Sequence, residues 1–173
     1  MTGRKEIKLK PFLIRKFSLN SLLDWKGLET IIKESADEDF EVINSNKRSN
    51  KAKRDEVIKN SLILSHCKKF LDCSFIKEFV DNNNYFTYSR WDAHIYASYY
   101  KTSYSFSKHF DYAHNFIIPQ HGKSRWIVSN FCDTILKPGD MLYIPCKWEH
   151  ECIPSEKRIS VSFPFWPVDN EQR

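Results

Sequence analysis

The apolar positions in the first half of the chain recur with a helical period. Leucine and isoleucine stand three and four residues apart between Leu19 and Ile32, which predicts an amphipathic helix with Asn20 or Ser21 as its cap. A second helical region is predicted after Arg54. Its apolar face consists of Phe75, Ile76, Phe79 and Val80. Helices are therefore expected to dominate this half of the chain.

The pattern changes near residue 85 to short runs of aromatic and β-branched residues that are separated by turns. The dipeptide Pro138-Gly139 is a strong turn signal, because glycine supplies the positive φ of a type II turn. Many short strands at this spacing are typical of a sandwich or barrel. The predicted strands are Tyr85–Tyr88, Ala93–Tyr100, Tyr104–Asp111, Asn115–Pro119, Arg125–Phe131, Met141–Pro145 and Arg158–Phe165.

Together the two patterns predict a mainly β fold in which an N-terminal helical layer (1–84) packs on a C-terminal jelly-roll barrel (85–173). No linker separates the two parts, so we expect a single domain over residues 1–173. With 41% hydrophobic and 15% aromatic residues in 173 positions, the chain can bury a sizeable core. This composition excludes wholesale disorder.

The net charge of +5 would favour the approach of an acidic partner. It is too small to predict a nucleic-acid-binding protein, and we expect no such partner. Much of the positive charge lies between Lys47 and Arg54. We interpret this basic stretch as a solvated loop, with a substrate-steering loop as the alternative.

The five cysteines form no compact framework of pairs. The start of the chain, MTGRKEIKLK, lacks the apolar core of a signal peptide. No stretch approaches the length of a membrane span. We therefore expect reduced thiols, a cytoplasmic location and no membrane partner.

The tripeptide His109-Phe110-Asp111 is the first chemical signal. On a strand, side chains at i and i+2 face the same side, so His109 and Asp111 would point together into the barrel. An imidazole and a carboxylate on one face can bind one divalent cation at about 2.0–2.2 Å. On the tripeptide alone, a core histidine with satisfied hydrogen bonds is the better interpretation.

His150 is the best candidate for a third ligand, because it follows a strand and a turn where the chain re-enters the barrel mouth. Two histidines and one carboxylate leave three open positions on an octahedral metal, which is the arrangement of non-haem Fe(II) oxygenases. Two positions can take a bidentate 2-oxo acid and the third O₂. Zinc held by Cys146, His150 and Cys152 is a minor alternative, because no second short ligand pair stands nearby.

Several segments around these residues share a recognisable pattern, of which the Pro-Gly-Asp, Tyr-Ile-Pro and Trp-x-His block is the most specific part. They are His109–Asp111, Asn115-Phe116, Gly122–Trp126, Lys137–Pro145, Trp148–His150 and Ile159–Phe163. Over about the last 80 residues the chain resembles the JmjC-like cupin family of Fe(II)- and 2-oxoglutarate-dependent oxygenases. The resemblance implies a double-stranded β-helix, with His109, Asp111 and His150 as the catalytic iron ligands.

The far carboxylate of 2-oxoglutarate needs a cationic partner when it is buried. Arg158 and Ser160 share one face of a predicted strand and resemble the Arg-x-Ser carboxylate anchor of other 2-oxoglutarate oxygenases. In the JmjC-like family a lysine after the turn glycine often serves instead. Here Ser124 occupies that position, and the flanking Lys123 and Arg125 are the second candidates.

Asn115 matches a family position that contacts the oxo acid, and a tyrosine among Tyr96, Tyr99 and Tyr104 could add a contact. The implied reaction consumes O₂ and 2-oxoglutarate and releases succinate and CO₂. We expect the substrate to be a small molecule or a peptide side chain. A homodimer paired through the N-terminal helices is left open.

Three alternatives remain at this point. The protein could be a non-catalytic cupin that binds a metal or small ligand, or a cupin enzyme of different chemistry such as a metal-dependent isomerase. Both gain if neither Arg158 nor the pair Lys123 and Arg125 points into the barrel. An interaction protein that uses the basic stretch is the third, and salt-dependent binding to an acidic partner would reveal it.

Overall fold

The computed structural model describes residues 9–17, 21–36, 39–44, 47–49, 60–83 and 86–168. Within them it has two α-helices, α1 (Trp25–Glu34) and α2 (Ser74–Asn83), and a short 3₁₀ helix at Cys67–Lys69. Its strands are β1 (Phe12–Ile14), β2 (Phe40–Asn44), β3 (Lys47–Ser49), β4 (Ser61–Leu64), β5 (Tyr88–Trp91), β6 (His94–Ser98), β7 (His114–His121), β8 (Ser124–Val128), β9 (Cys132–Leu136), β10 (Met141–Ile144), β11 (His150–Pro154) and β12 (Arg158–Pro167).

The described strands form a nine-stranded sheet and a three-stranded sheet. The large sheet runs in the order β1-β10-β7-β12-β6-β4-β2-β3, and β5 also pairs with β12. The small sheet runs in the order β11-β8-β9. Neighbouring strands are antiparallel throughout, as expected for a jelly roll.

The large sheet separates two apolar cores, and the alternation of side chains along its strands decides which residue enters which core. On β7, Phe116 packs in the core that also holds the helices, and Ile117 packs towards the small sheet. On β10, Tyr143 and Leu142 divide in the same way. The small sheet therefore lies over one face of the large sheet and the helices over the other. This arrangement confirms the predicted mainly β, jelly-roll fold with N-terminal helices.

Helix α1 exists where the apolar period predicts a helix, but its cap differs from the prediction. Asp24 caps it, with a side-chain oxygen accepting a hydrogen bond from the Gly27 amide at 2.7 Å. Leu28 and Ile31 form the buried face. Of the two predicted caps, Asn20 lies outside the described residues and Ser21 precedes the helix by four positions. Neither described helix has the length and apolar character to cross a bilayer.

The N-terminal helical layer predicted for residues 1–84 also contains strands, because β1 to β4 belong to the large sheet. Strand β1 pairs with β10, and β4 pairs with β6, so both halves of the chain build one sheet. All four residues of β4 are buried, and a continuous apolar run carries no alternation that distinguishes a strand from a helix. Helix α2, with Ile76 and Val80 buried, confirms the second helical region.

The basic stretch is not wholly a loop. Its first residues, Lys47–Ser49, form the edge strand β3, which pairs with β2. Residues 50–54 lie outside the described residues.

Two further corrections concern the barrel. The segment predicted as the strand Tyr104–Asp111 is irregular and makes a single bridge, between His109 and His150. Strands β9 and β11 lie where no strand was predicted. Strand β5 begins where the predicted strand Tyr85–Tyr88 ends, and Tyr85 lies outside the described residues.

Candidate active site

Three side chains, two from the segment 109–111 and one from position 150, converge in one cavity. The Nε2 atom of His109 lies 3.8 Å from an Asp111 carboxylate oxygen, and Nε2 of His150 lies 3.6 Å from the other oxygen. The three candidate ligand atoms all lie within 4.8 Å of one another, and no other such group of His, Cys, Asp or Glu occurs among the described residues. A divalent ion with bonds of about 2.0–2.2 Å fits between them.

Backbone pairing explains this convergence. The amides of His109 and His150 donate to each other's carbonyls at 3.0 and 2.8 Å. The Lys147 amide donates to the carbonyl of Asp111 at 2.7 Å. These bonds tie the irregular segment to the start of β11, so the ligands face one another without a regular strand at residues 104–111.

Hydrogen bonds select the same tautomer in both histidines. Nδ1 of His109 lies 2.8 Å from the Ser107 carbonyl, and Nδ1 of His150 lies 2.9 Å from the Trp148 carbonyl. A carbonyl oxygen only accepts, so each Nδ1 carries the proton and donates it. Each Nε2 then presents its lone pair towards the shared centre, as a metal ligand must.

Burial also favours the metal-binding form of His150, which is 5% exposed. Desolvation lowers the pKa of His150, and the nearby His109 acts in the same direction. The Trp148 carbonyl and the Asp111 carboxylate partly oppose this shift in the pKa. The imidazole is therefore neutral at physiological pH, which is the state that coordinates a metal.

Two linked side-chain hydrogen bonds support the carboxylate of Asp111. Asn115 donates from its side-chain nitrogen to an Asp111 oxygen at 2.8 Å, and the Ser162 hydroxyl donates to the Asn115 side-chain oxygen at 3.2 Å. Asn115 and Ser162 also line the cavity. The predicted contact between Asn115 and an oxo acid stays a prediction, while its contact with the carboxylate is a role that the sequence did not indicate.

Arg158 lies in the wall of the same cavity and is only 3% exposed. Its Nη1 atom donates a long bond of 3.4 Å to the Ser160 hydroxyl, and its Nε atom is buried without a partner. Among the described residues it forms no ion pair. A buried guanidinium without a counter-ion is costly, so the geometry favours an anionic ligand at this point.

The cavity and its open mouth together enclose about 530 Å³ of empty space. Alternate residues of β12 form one wall of the cavity. The residues between them point to the opposite face of the sheet and pack in the helix-side core. The lining residues are Tyr96, Ser105, Phe106, His109, Asp111, Asn115, Ile117, Trp126, His150, Cys152, Arg158, Ser160 and Ser162.

The residues of the β7–β8 turn lie elsewhere, which corrects the predicted roles of Lys123 and Ser124. Lys123 is exposed, and Arg125 is exposed and paired with Asp133 at 2.5 Å. Ser124 is buried, but its hydroxyl accepts a hydrogen bond from the Trp126 indole at 3.0 Å. None of the three turn residues lines the cavity, because alternation along β8 turns Arg125 outwards.

Several lining residues, among them Ser105, Phe106 and Cys152, are missing from the sequence-based site. Cys152 follows His150 by two residues on β11, so alternation would have found it had that strand been predicted. Burial raises the pKa of its thiol, which favours the protonated form over the thiolate that binds zinc. Ser105 and Phe106 lie in the irregular segment, where no periodic signal exists.

A comparison with protein families finds the JmjC domain over residues 128–171. This segment contains β9 to β12, and with them His150 and Arg158. Among curated proteins, no sequence matches the chain significantly.

Solved structures with the same fold include chains of YcfD, a ribosomal oxygenase from Escherichia coli. One, in complex with cobalt and succinic acid, has a TM-score of 0.70 and 18% identity, with 94% of this chain and 49% of that chain covered. Another, with cobalt and 2-oxoglutarate, has a TM-score of 0.69 and 18% identity, with 93% and 49% covered. The chain therefore spans about half the length of these structures. The chain thus shares its fold with these structures, and residues 128–171 match the JmjC domain.

Proposed function

We propose that this protein is an Fe(II)- and 2-oxoglutarate-dependent oxygenase. It would hydroxylate or otherwise oxidise a small molecule or a peptide side chain, with succinate and CO₂ as co-products. One observation carries the proposal: a single cavity joins the metal triad to the buried, unpaired guanidinium of Arg158. A bidentate 2-oxo acid with a second carboxylate needs both features.

The residues take distinct roles. His109, Asp111 and His150 would hold the iron, and Arg158 with Ser160 would hold the far carboxylate of 2-oxoglutarate. When bound, the iron and the oxo acid supply the oxidising chemistry with O₂. The protein contributes the positions of these groups.

An aromatic ring lies beside each histidine of the triad. Trp126 stacks near His150 with 6.1 Å between ring centroids, and Phe106 meets His109 edge to face at 5.2 Å. Apolar rings at these positions keep bulk water away from the site, which limits side reactions during oxidation.

Solved structures of the same fold contain ligands that fit this chemistry. The E. coli ribosomal oxygenase of the same fold has been solved with cobalt together with 2-oxoglutarate and with succinic acid. The alternative function, a non-catalytic cupin, would be favoured if no basic residue faced the cavity. Arg158 does face it. The cytoplasmic location and the homodimer stay predictions.

The test begins without oxygen. Adding Fe(II) and 2-oxoglutarate to the protein should produce the visible charge-transfer band of an iron–oxo acid chelate. Admitting O₂ should then yield succinate. His109→Ala should abolish both signals, while His66→Ala, which alters an exposed histidine outside the cavity, should retain both.

Wild-type protein that gives neither the band nor succinate would contradict the proposal. Arg158→Gln adds a second criterion: it should retain iron binding but lose 2-oxoglutarate binding. A protein that binds iron normally, binds 2-oxoglutarate and yet makes no succinate would favour the non-catalytic cupin.

A further inference from the structure

The direction of the Arg158 side chain is not fixed by an ion pair. Among the described residues its side chain donates one long hydrogen bond, to Ser160, and its Nε atom has no hydrogen-bond partner. A long flexible side chain in such surroundings depends on its backbone for its position. The contacts of the Lys157-Arg158 peptide therefore decide where the charge lies.

The β7–β8 turn packs against this peptide without an intervening side chain. Gly122 has a φ of +67°, and a Cβ atom added to it would lie 2.0 Å from the Lys157 carbonyl oxygen and 3.0 Å from the Arg158 Cα atom. Only glycine permits both this conformation and this approach.

A β-bulge lies beside the same peptide. Ile159 pairs with His121 and Ser160 with Pro119, so Gln120 is the extra residue on β7. The Gln120 side chain accepts a hydrogen bond from the Leu22 amide at 2.8 Å. Bulges next to sites commonly re-aim a side chain. This bulge faces Ile159 and Ser160, and Arg158 directly precedes them on β12.

The Lys157 side chain connects the Lys157-Arg158 peptide to two aromatic rings. Its ammonium lies 3.9 Å from the centroid of the Trp25 ring and 5.4 Å from that of Tyr99. The two rings are 5.2 Å apart, and Trp25 is the first residue of α1. The cation–π contact thus links the start of β12 to the helical layer.

We propose that Gly122 and Lys157 are positioning residues that aim the Arg158 guanidinium into the cavity. This inference rests on the proposed function, in which that guanidinium binds the far carboxylate of 2-oxoglutarate. Both residues lie outside the cavity lining, so they act through Arg158 and not by contact with a ligand. Changing either one should weaken oxo acid binding and leave metal binding unchanged.

The first test compares two glycines. Gly122→Ala should raise the dissociation constant for 2-oxoglutarate about tenfold or more, measured by anaerobic calorimetry with Fe(II), because a small displacement disrupts a forked charge-assisted contact. Gly139→Ala is the matched control, since Gly139 also has positive φ (+90°) but a Cβ there meets nothing within 4 Å. It should leave that constant unchanged. The dissociation constant for Fe(II) alone should be the same in both variants.

The second test covers the case in which Gly122→Ala does not fold. Lys157→Met should raise the 2-oxoglutarate constant about two- to fivefold, the equivalent of one cation–π contact, and Lys157→Arg should restore it. Lys68→Met is the control, because the Lys68 ammonium lies 4.9 Å from the Trp91 ring, away from the cavity.

A third readout needs no ligand, so it separates this inference from the proposed function. The Arg158 Nε–H signal in ¹⁵N NMR spectra should be protected from exchange in the wild type and lose protection in Lys157→Met. Unchanged protection, or equal 2-oxoglutarate affinity in Lys157→Met and Lys68→Met, would overturn the positioning role. Wild-type protein that fails to bind 2-oxoglutarate but shows the NMR effect would refute the function and leave the positioning of Arg158 standing.

Discussion

At the scale of single residues, the site depends on hydrogen bonds that orient groups before any ligand arrives. Backbone carbonyls fix the tautomers of His109 and His150, and Asn115 fixes one oxygen of Asp111. Such supporting bonds commonly change metal affinity by one to two orders of magnitude.

Asn115→Leu should therefore weaken Fe(II) binding by about 10- to 100-fold, since it removes the donor to Asp111. Competition with a chromogenic chelator measures the affinity. Asn83→Leu is the control, because that amide only donates to the Phe79 carbonyl at the end of α2. Equal affinities in the two variants would show that the Asn115 bond is dispensable.

A second residue-scale prediction concerns acid. Burial lowers the pKa of His114 from 6.5 to about 4, and the Tyr143 hydroxyl and the Cys146 amide both donate to its Nδ1. As the pH falls below 6.5, His114 becomes protonated in the unfolded chain but stays neutral in the folded protein. Stability is therefore lost between pH 6.5 and 4, by about 3 kcal/mol in total.

Denaturant unfolding at pH 7 and pH 4.5 tests this expectation. His114→Phe should show a smaller drop between the two values than the wild type, whatever its stability at pH 7. The comparison matters because carboxylates also titrate in this range. An identical drop in both proteins would rule out His114 as a source of the acid sensitivity.

At the scale of elements, β12 serves two faces at once. Val161 and Phe163 pack in the helix-side core, while Arg158 and Ser160 line the cavity. Phe163→Ala should lower the free energy of unfolding by about 3–5 kcal/mol, because the ring is fully buried. Chemical denaturation measures this loss, and the folded fraction should bind Fe(II) as before. A loss below about 1 kcal/mol would mean that the ring is not packed as described.

The start of α1 gives a milder prediction. Asp24→Ala removes the side chain that caps the Gly27 amide and should cost about 0.5–2 kcal/mol in unfolding free energy. Asp24→Asn should restore most of that loss, since an amide oxygen also accepts. If Asn fails to restore it, the charge of Asp24 and not the cap bond is responsible.

The sequence predicted the elements whose patterns are long and regular. Helices α1 and α2 follow a clear period, strands β7 and β12 are long, and β10 follows the turn signal of Pro138-Gly139. Arg158 and Ser160 were predicted through alternation on β12. Short elements were missed, because four buried residues such as those of β4 carry no distinguishing period.

The candidate metal ligands show the limit of such arguments. The i, i+2 argument selected His109 and Asp111 on a predicted strand, but the segment is irregular and the bridge to His150 aligns them. That contact joins residues 41 positions apart, and no local pattern reports it. For the same reason the sequence could not show that Phe106 enters the site or that Lys123 stays outside it.

At the scale of the whole molecule, the cavity lies between the two sheets and takes residues from both. His150 comes from the small sheet and Arg158 from the large one. A ligand that contacts both should therefore stabilise the entire fold. A metal on His109, Asp111 and His150 would contact only the small sheet and the irregular segment, but it would still bind the folded chain alone. At a free concentration 100 times its dissociation constant it would therefore add about 2.7 kcal/mol.

Thermal unfolding with and without Fe(II) under anaerobic conditions checks this expectation. The melting temperature should rise with the metal and return to its starting value when a chelator is added. His109→Ala should melt at the same temperature in both conditions. A rise of equal size in that variant would place the stabilising metal elsewhere.

The buried charge of Arg158 also affects the choice of purification and storage buffer. Acetate, citrate and other small carboxylates in a purification buffer would compete for the guanidinium and mask the affinity for the natural acid. Storage in a non-coordinating amine buffer with chloride as the only anion would avoid this competition. A co-purified organic acid, released on denaturation and identified by mass spectrometry, would reveal what the interior normally holds.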